Sequence, residues 1–152
     1  MIKQYADIQV FDRNGQLALI TETKNKRNTT SEWATKMRRN MYAHGLLPAA
    51  PYFLLALPDR FYLWKDAGAH PELIEPTSEV DPHPFLLPYY ERLGISPFNL
   101  PGQTFELVVS SWLEGLLRVS DRHAPRAEYD WLIRSGLLPR LVGGHLQIEE
   151  AA

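Results

Sequence analysis

The chain has 152 residues, of which 45% are hydrophobic and 22% charged, and this composition is typical of one folded domain and not of a disordered chain. A net charge of −2 argues against a domain that is basic throughout, and the absence of cysteine excludes disulfides and thiolate zinc sites. There is no apolar run of about eighteen residues and no apolar signal core at the N-terminus, which predicts a cytoplasmic protein without a membrane span.

A β-hairpin is predicted first. Residues 5–12 alternate between apolar and polar side chains, and residues 16–24 can return alongside them. Asn14-Gly15 lies between the two strands. This dipeptide is a strong signal for a two-residue turn, because both residues tolerate positive φ angles.

The turn also predicts the register of the hairpin. With Asn14 and Gly15 at its centre, Arg13 pairs with Gln16, and further out Asp7 faces Glu22. Lys24 lies on the same face as Glu22, because side chains alternate along a strand. The predicted faces are Ile8, Val10, Leu17 and Leu19 on one side, and Phe11, Ala18, Ile20, Asp7, Glu22 and Lys24 on the other.

A helix is predicted to follow the hairpin. Residues 29–32 read Thr-Thr-Ser-Glu, which is a capping box that opens a helix. Trp33, Met37 and Met41 recur every four residues and predict an apolar face, and Gly45 is a suitable residue to end the helix.

Two further strands, at residues 51–58 and 60–65, complete a strand, strand, helix, strand, strand order. This order predicts an α/β or α+β fold, with a mixed sheet and helices packed on it. Residues 66–101 hold seven of the twelve prolines and predict an irregular connection with one short helix near residues 89–93.

The C-terminal part is predicted to be mainly helical. Residues 103–120 read as a largely buried helix, residues 126–135 as another that ends at Gly136, and residues 145–150 as a short edge strand. We therefore divide the single predicted domain, residues 1–152, into three parts: a core at 1–66, a proline-rich connection at 67–101 and a C-terminal helical part at 102–152.

The open end of the hairpin carries the most informative side chains. Two carboxylates that face each other across a strand pair repel, so Asp7 and Glu22 need a compensating cation. Mg²⁺ suits such a pair, because it binds one or two carboxylates together with waters and phosphate oxygens. Lys24 can polarise a phosphate or orient a water. The alternative is a structural cluster in which Lys24 or Lys26 neutralises both acids, and charge pairs of that kind are common at strand ends.

A basic stretch follows the hairpin. Within residues 24–39 a single acid, Glu32, stands against six basic residues, whereas residues 66–106 hold seven acidic residues and only Arg92. The commoner interpretation of such a charge run is a solvated surface. The alternative is contact with phosphates by Lys24, Lys26, Arg27, Lys36, Arg38 and Arg39.

Asp7, then fourteen residues, then Glu22-Thr23-Lys24 resembles the motif of the PD-(D/E)XK nuclease superfamily. The resemblance covers about residues 5–65. It implies a restriction-endonuclease-like fold, with a mixed sheet core flanked by helices and here a C-terminal helical extension. It also implies an endonuclease that hydrolyses phosphodiester bonds with Mg²⁺ or Mn²⁺, with Asp7 and Glu22 as metal ligands and Lys24 as the third catalytic residue.

The resemblance implies nucleic acid, DNA foremost, as the partner. Sequence-independent affinity for its backbone would come from Lys26, Arg27, Lys36, Arg38 and Arg39. Gln9 lies on the same face as Asp7, because side chains alternate along the strand, and is a candidate to assist a water or a phosphate. Only six residues precede Asp7, so the family's first helix is expected to be absent, or to be replaced by an element of the C-terminal half, a homodimer partner or another chain. The alternative function is an inactive nuclease-like scaffold that binds nucleic acid or a protein.

Overall fold

The fold is a six-stranded mixed sheet flanked by helices, which confirms the predicted mixed α/β class. The computed structural model describes residues 6–45, 47–119 and 129–149. In chain order the elements are β1 (Ile8–Phe11), β2 (Leu17–Thr23), α1 (Ser31–His44), β3 (Tyr52–Ala56), β4 (Phe61–Lys65), β5 (Ser78–Val80), α2 (His83–Leu93), α3 (Gly102–Leu117), α4 (Asp130–Arg134), α5 (Leu137–Leu141) and β6 (His145–Ile148). Among these helices there is none whose length and hydropathy would allow it to cross a membrane.

The strands lie in the order β5-β4-β3-β2-β1-β6. Only β2 and β3 run parallel, with α1 as the crossover between them, and every other neighbouring pair is antiparallel. The predicted C-terminal edge strand is confirmed as β6, which pairs with β1. As a result β2 lies inside the sheet. Its pairing with β1 ends at Thr21, and its last residues, Glu22 and Thr23, pair with β3.

Helices cover both faces of the sheet, so the central strands are apolar on both sides. All five residues of β3 are buried, as expected of a strand between two packed layers. One face packs against α1, and the other packs against α2, α3, α4 and α5. The core between the sheet and helices α2 to α5 contains an aromatic cluster of Phe61, Phe85, Trp112 and Trp131 with ring centroids 5.0–6.2 Å apart.

The turn of the hairpin differs from the prediction. Asp12 and Gln16 close a three-residue loop, because the Asp12 N–H donates to the Gln16 carbonyl at 2.8 Å and the Gly15 N–H donates to the Asp12 carbonyl at 2.9 Å. Of Asn14 and Gly15, the two residues predicted at the centre of the turn, only Gly15 has a positive φ, of 79°. The side chain of Asp12 accepts from the N–H groups of Asn14 and Gln16, so the loop is built around this aspartate, as in an Asx turn.

A β-bulge in β2 restores the predicted register further along. Phe11 pairs with Leu17 but Val10 pairs with Leu19, which leaves Ala18 as the extra residue. The predicted pairs of Ile8 with Thr21 and Val10 with Leu19 are confirmed. The predicted faces are wrong at two positions: Ala18 packs in the core with Leu19, and Leu17 packs on the face of α1.

Helix α1 begins and ends near the predicted residues, with different cap geometry. Its N-cap is Thr30, whose hydroxyl accepts from the Trp33 N–H at 3.1 Å, and Thr29 instead bonds the Tyr62 hydroxyl at 2.8 Å. Gly45 ends the helix in an extended conformation, with φ at −100°. A Cβ at Gly45 would lie 2.7 Å from the Met41 carbonyl oxygen, so the absence of a side chain is what this position requires.

The proline-rich connection is more ordered than predicted. It contains β5 and the eleven-residue α2, which begins well before residue 89 and accommodates Pro88. The predicted long helix is confirmed as α3. The predicted helix at 126–135 appears as α4, followed by Gly136, while residues 126–128 lie outside the described residues. Helix α5 was not predicted.

Candidate functional site

The end of β2 brings the three predicted catalytic residues together. The Thr23 N–H and hydroxyl both donate to Oδ2 of Asp7, at 2.9 and 3.3 Å, which fixes this carboxylate beside the strand end. The Lys24 N–H donates to the Ala56 carbonyl at 3.1 Å and so continues the pairing of β2 with β3. Asp7, Glu22 and Lys24 consequently line one cleft of about 560 Å³.

This cleft, which we call the large cleft, has two unlike walls. The β2 end supplies Glu22, which is only 6% exposed, and the exposed Lys24. The opposite wall comes from the second half of α1 and the residues after it. That wall is apolar at Met37, Met41 and Leu47 and polar at Asn40 and His44.

A second, smaller cleft of about 210 Å³ adjoins the large one. Asp7, Thr23 and Lys24 line both clefts, so the end of β2 forms a shared wall between them. The far wall of the small cleft comes from the loop after β2 and the first turns of α3, and it includes Glu106. The sequence analysis missed Glu106, because its segment reads only as a buried helix and nothing local places that helix beside Asp7.

Comparison of this chain with protein-family models, curated proteins and solved structures finds no match. The function is therefore argued from the chemistry of the two clefts and their shared wall.

Arg38 lies inside the protein, so its predicted place in an exposed basic stretch is wrong. It is 0% exposed, and its guanidinium donates to the carbonyls of Ala67, Gly68 and His70 at 3.3, 2.9 and 3.1 Å. The guanidinium also lies 4.7 Å from the centroid of the Tyr42 ring. Arg38 ties α1 to the loop after β4, and we assign it no phosphate contact.

Tyr42 connects this buried arginine to the site. Burial raises the pKa of Tyr42 to about 12, the positive charge of Arg38 lowers it, and the negative charge of Glu22 raises it. The phenol is therefore neutral near pH 7. Burial also lowers the pKa of Arg38 from its ordinary value, against the raising effect of Tyr42 and Glu72. Glu22 is thus within electrostatic range of a neutral hydroxyl.

The other predicted nucleic-acid contacts are distributed around the loop after β2 and along α1. Lys26 and Arg27 are exposed on that loop: the Lys26 ammonium lies 5.0 Å from the centroid of the Trp33 ring, and Arg27 donates to the Pro97 carbonyl. Lys36 pairs with Glu32 at 3.2 Å on the surface of α1, and Arg39 is half-buried. Lys26 and Arg27 follow Lys24 directly, which leaves them closest in the chain to the shared wall.

Gln9, predicted to assist a water or a phosphate beside Asp7, lies elsewhere. It lines a separate cleft of about 200 Å³ with Ala6, Gln147, Ile148 and Glu149. It is not among the described residues that line the large cleft. The alternation of side chains that placed Gln9 with Asp7 takes no account of β6, which covers the outer edge of β1.

The donor set of the large cleft fits a hard divalent cation. Asp7 and Glu22 supply two carboxylates beside a lysine, and Mg²⁺ binds one or two carboxylates and completes its octahedral shell with waters and phosphate oxygens. Over residues 6–45, 47–119 and 129–149 there is no cluster of three His, Cys, Asp or Glu side chains that could hold a metal. The site accordingly suits a cation that shares its ligands with substrate and water.

Proposed function

We propose that this protein is a metal-dependent nuclease of the PD-(D/E)XK type, which hydrolyses phosphodiester bonds in nucleic acid, DNA foremost. The observation that carries the proposal is the convergence of Asp7, Glu22 and Lys24 on one cleft at the end of β2. The order β1, β2, α1, β3, β4, with β2 and β3 parallel, supports a restriction-endonuclease-like fold as part of the same proposal.

Each of the three residues has a distinct role in this chemistry. Asp7, oriented by Thr23, and the buried Glu22 would hold Mg²⁺. Bound there, the cation would lower the pKa of a water and offset charge on the phosphate. Lys24 would donate to the attacking water or to a phosphoryl oxygen. Water oxygen bonds to phosphorus, the bond to one sugar oxygen breaks, and that oxygen takes up a proton as the strand separates into a hydroxyl and a phosphate monoester.

Two further features support the proposal. Lys26 and Arg27 extend the positive charge of Lys24 along the exposed loop, where they would hold flanking phosphates without reading sequence. Helix α3 is an element of the C-terminal half that brings another acid, Glu106, to the far wall of the small cleft, whose near wall holds Asp7 and Lys24. Glu106 would there position a water or support the metal ligands.

The second candidate is an inactive scaffold that binds nucleic acid or a protein partner. The observation that favours it concerns metal ligands: the described part of the chain contains no group of three His, Cys, Asp or Glu side chains that could hold a metal ion. The two candidates differ in one measurable property, which is turnover that depends on the metal and on the residues of the cleft.

Cleavage by variants of the cleft tests the proposal. Glu22→Gln and Lys24→Ala are expected to cut the rate of DNA cleavage in Mg²⁺ by on the order of a hundredfold or more, because each removes a preorganised charge at the transition state. Glu91→Gln and Lys65→Ala make the same chemical changes at exposed positions and are expected to leave the rate unchanged. Equal cleavage by all five proteins would mean that the activity comes from another site, and binding without any cleavage would support the scaffold.

A further inference from the structure

The α1 wall of the large cleft is not suited to a phosphate. Phosphates are bound by arginine, lysine and N–H groups, whereas this wall presents the half-buried side chains of Met37, Met41 and Leu47. Methionine is flexible and polarisable, and its sulfur makes favourable contacts with aromatic rings. The wall therefore fits a flat, largely apolar group that enters together with a phosphate.

The polar residues of the wall add hydrogen-bonding capacity in the same place. Asn40 and His44 lie four residues apart on α1, which puts them on one face of the helix, and both are exposed at the cleft. An amide and an imidazole can each donate and accept, which is what the edge of a nucleobase requires. The cleft volume of about 560 Å³ lies within the usual range of small-molecule sites.

We propose that the large cleft receives one unstacked nucleobase, so that the substrate is single-stranded or locally unpaired nucleic acid. This inference rests on the nucleic-acid part of the proposed function. A base inside a duplex cannot enter such a cleft unless it leaves the stack, which costs least where the strand is already unpaired. The base packs against Met37, Met41 and Leu47, and Asn40 and His44 hydrogen-bond its edge.

The charge around the cleft agrees with a polynucleotide occupant. Asp7 and Lys24 belong to the wall shared by the two clefts. A phosphate held at that wall therefore lies next to the large cleft. Lys26 and Arg27 continue the positive charge beyond it. A base in the large cleft and its neighbouring phosphates on the exposed loop would thus use adjoining surfaces of the protein.

Binding without cleavage tests the inference. The affinity of a labelled single-stranded oligonucleotide is measured by fluorescence anisotropy in a chelator, beside the same sequence as a blunt duplex and a series in which one base at a time is removed. Wild type is expected to bind the single strand at least about tenfold more tightly than the duplex. Removal of the base at one position is expected to weaken binding by about fivefold to a hundredfold, as loss of a stacked base does.

Variants locate the base. Met41→Ala and Asn40→Ala are each expected to weaken single-strand binding several-fold and to abolish the effect of removing that one base. Ile133→Ala changes an exposed residue of α4, which packs on the opposite face of the sheet, and is expected to change neither quantity. Because Asn40 is exposed, its variant also tests the proposal if Met41→Ala does not fold.

The outcomes separate this inference from the nuclease proposal. Equal binding of single strand and duplex, or no position at which base removal matters, would overturn the base cleft even if Glu22-dependent cleavage is observed. A base-dependent preference for the single strand, lost in Asn40→Ala, would support the base cleft even if no cleavage occurs. Failure to bind any of the oligonucleotides would overturn the base cleft.

Discussion

Substitution of methionine for Arg38 tests whether α1 is tied to the loop after β4 by a buried charge. The guanidinium makes three hydrogen bonds to loop carbonyls, of 2.9, 3.1 and 3.3 Å, and is fully buried. Methionine keeps most of the aliphatic length, so the core beside Tyr42 stays filled while the charge and its donors are lost. The expected result is a folded protein with a clearly lower free energy of unfolding.

The magnitude follows from opposing contributions. Three hydrogen bonds from a charged donor amount to roughly 4.5–9 kcal/mol when each contributes about 1.5–3 kcal/mol. Burial of the guanidinium costs several kcal/mol, which the variant regains. Arg38 Nε also has no hydrogen-bond partner in the described structure, so the variant removes an unsatisfied donor. We expect a net loss of about 2–4 kcal/mol, or about 4–16 °C in Tm for a domain of this size.

Urea denaturation followed by tryptophan fluorescence and far-UV circular dichroism measures this loss. Arg39→Met is the matched control. Arg39 follows Arg38 on α1 and is half-buried, and this substitution is expected to change the free energy of unfolding by no more than about 0.5 kcal/mol. A variant of Arg38 as stable as wild type would refute the reasoning. If that variant also bound nucleic acid more weakly, Arg38 would have to be returned to the set of phosphate contacts.

Two further predictions concern carboxylates. In chelator, Asp7→Asn should be at least as stable as wild type, because the substitution relieves repulsion with Glu22. Mg²⁺ or Mn²⁺ should raise the Tm of wild type far more than that of the variant. A destabilised variant, together with a wild type whose Tm does not respond to metal, would favour the structural cluster. The N–H of Gln16 lowers the pKa of Asp12, burial opposes this, and Arg140 lowers it further. Since the folded-state pKa is depressed, the stabilisation is present above pH 3.8 and is lost as the pH falls through the folded-state pKa. Asp12→Asn should therefore lower the free energy of unfolding near pH 7 and make that free energy fall less steeply in acid. Denaturation across a pH series would measure both effects.

Local patterns predicted the elements that surround the site. Alternation and an Asn-Gly turn are enough to indicate the hairpin, because each signal lies within a few residues. The spacing of Trp33, Met37 and Met41 indicates only a half-buried side of α1, whose buried residues are Ala34, Thr35, Arg38 and Tyr42. The pairing of β1 and β2 could therefore be predicted in its outer part. That pairing predicts Asp7 near the end of β2, whereas the two hydrogen bonds that Thr23 donates to Asp7 were not predicted.

The features that sequence reasoning missed depend on distant parts of the chain. Nothing near Arg38 indicates that the carbonyls of residues 67–70 will receive its donors, so its charge alone placed it on the surface. Glu106 reaches the site only because α3 packs beside β2. The bulge at Ala18 was missed for another reason. Successive extended residues need no particular residue type, and Leu17, Ala18 and Leu19 are all apolar, so each of them fits either face of the sheet.

The hairpin combines two irregularities whose effects on the site cancel. The loop from Asp12 to Gln16 shifts the pairing by one residue, and the bulge at Ala18 shifts it back. Loss of one residue between Asp12 and Leu17, with the three-residue loop and the bulge both kept, would slide the rest of β2 by one position and turn Glu22 toward the aromatic core. Insertions and deletions in the loop and at the bulge should therefore be inherited in pairs, so a relative with a shorter turn should also lack the bulge. Aligned sequences would then show a gap at each end of a short segment, while Asp7 and Glu22 keep their positions.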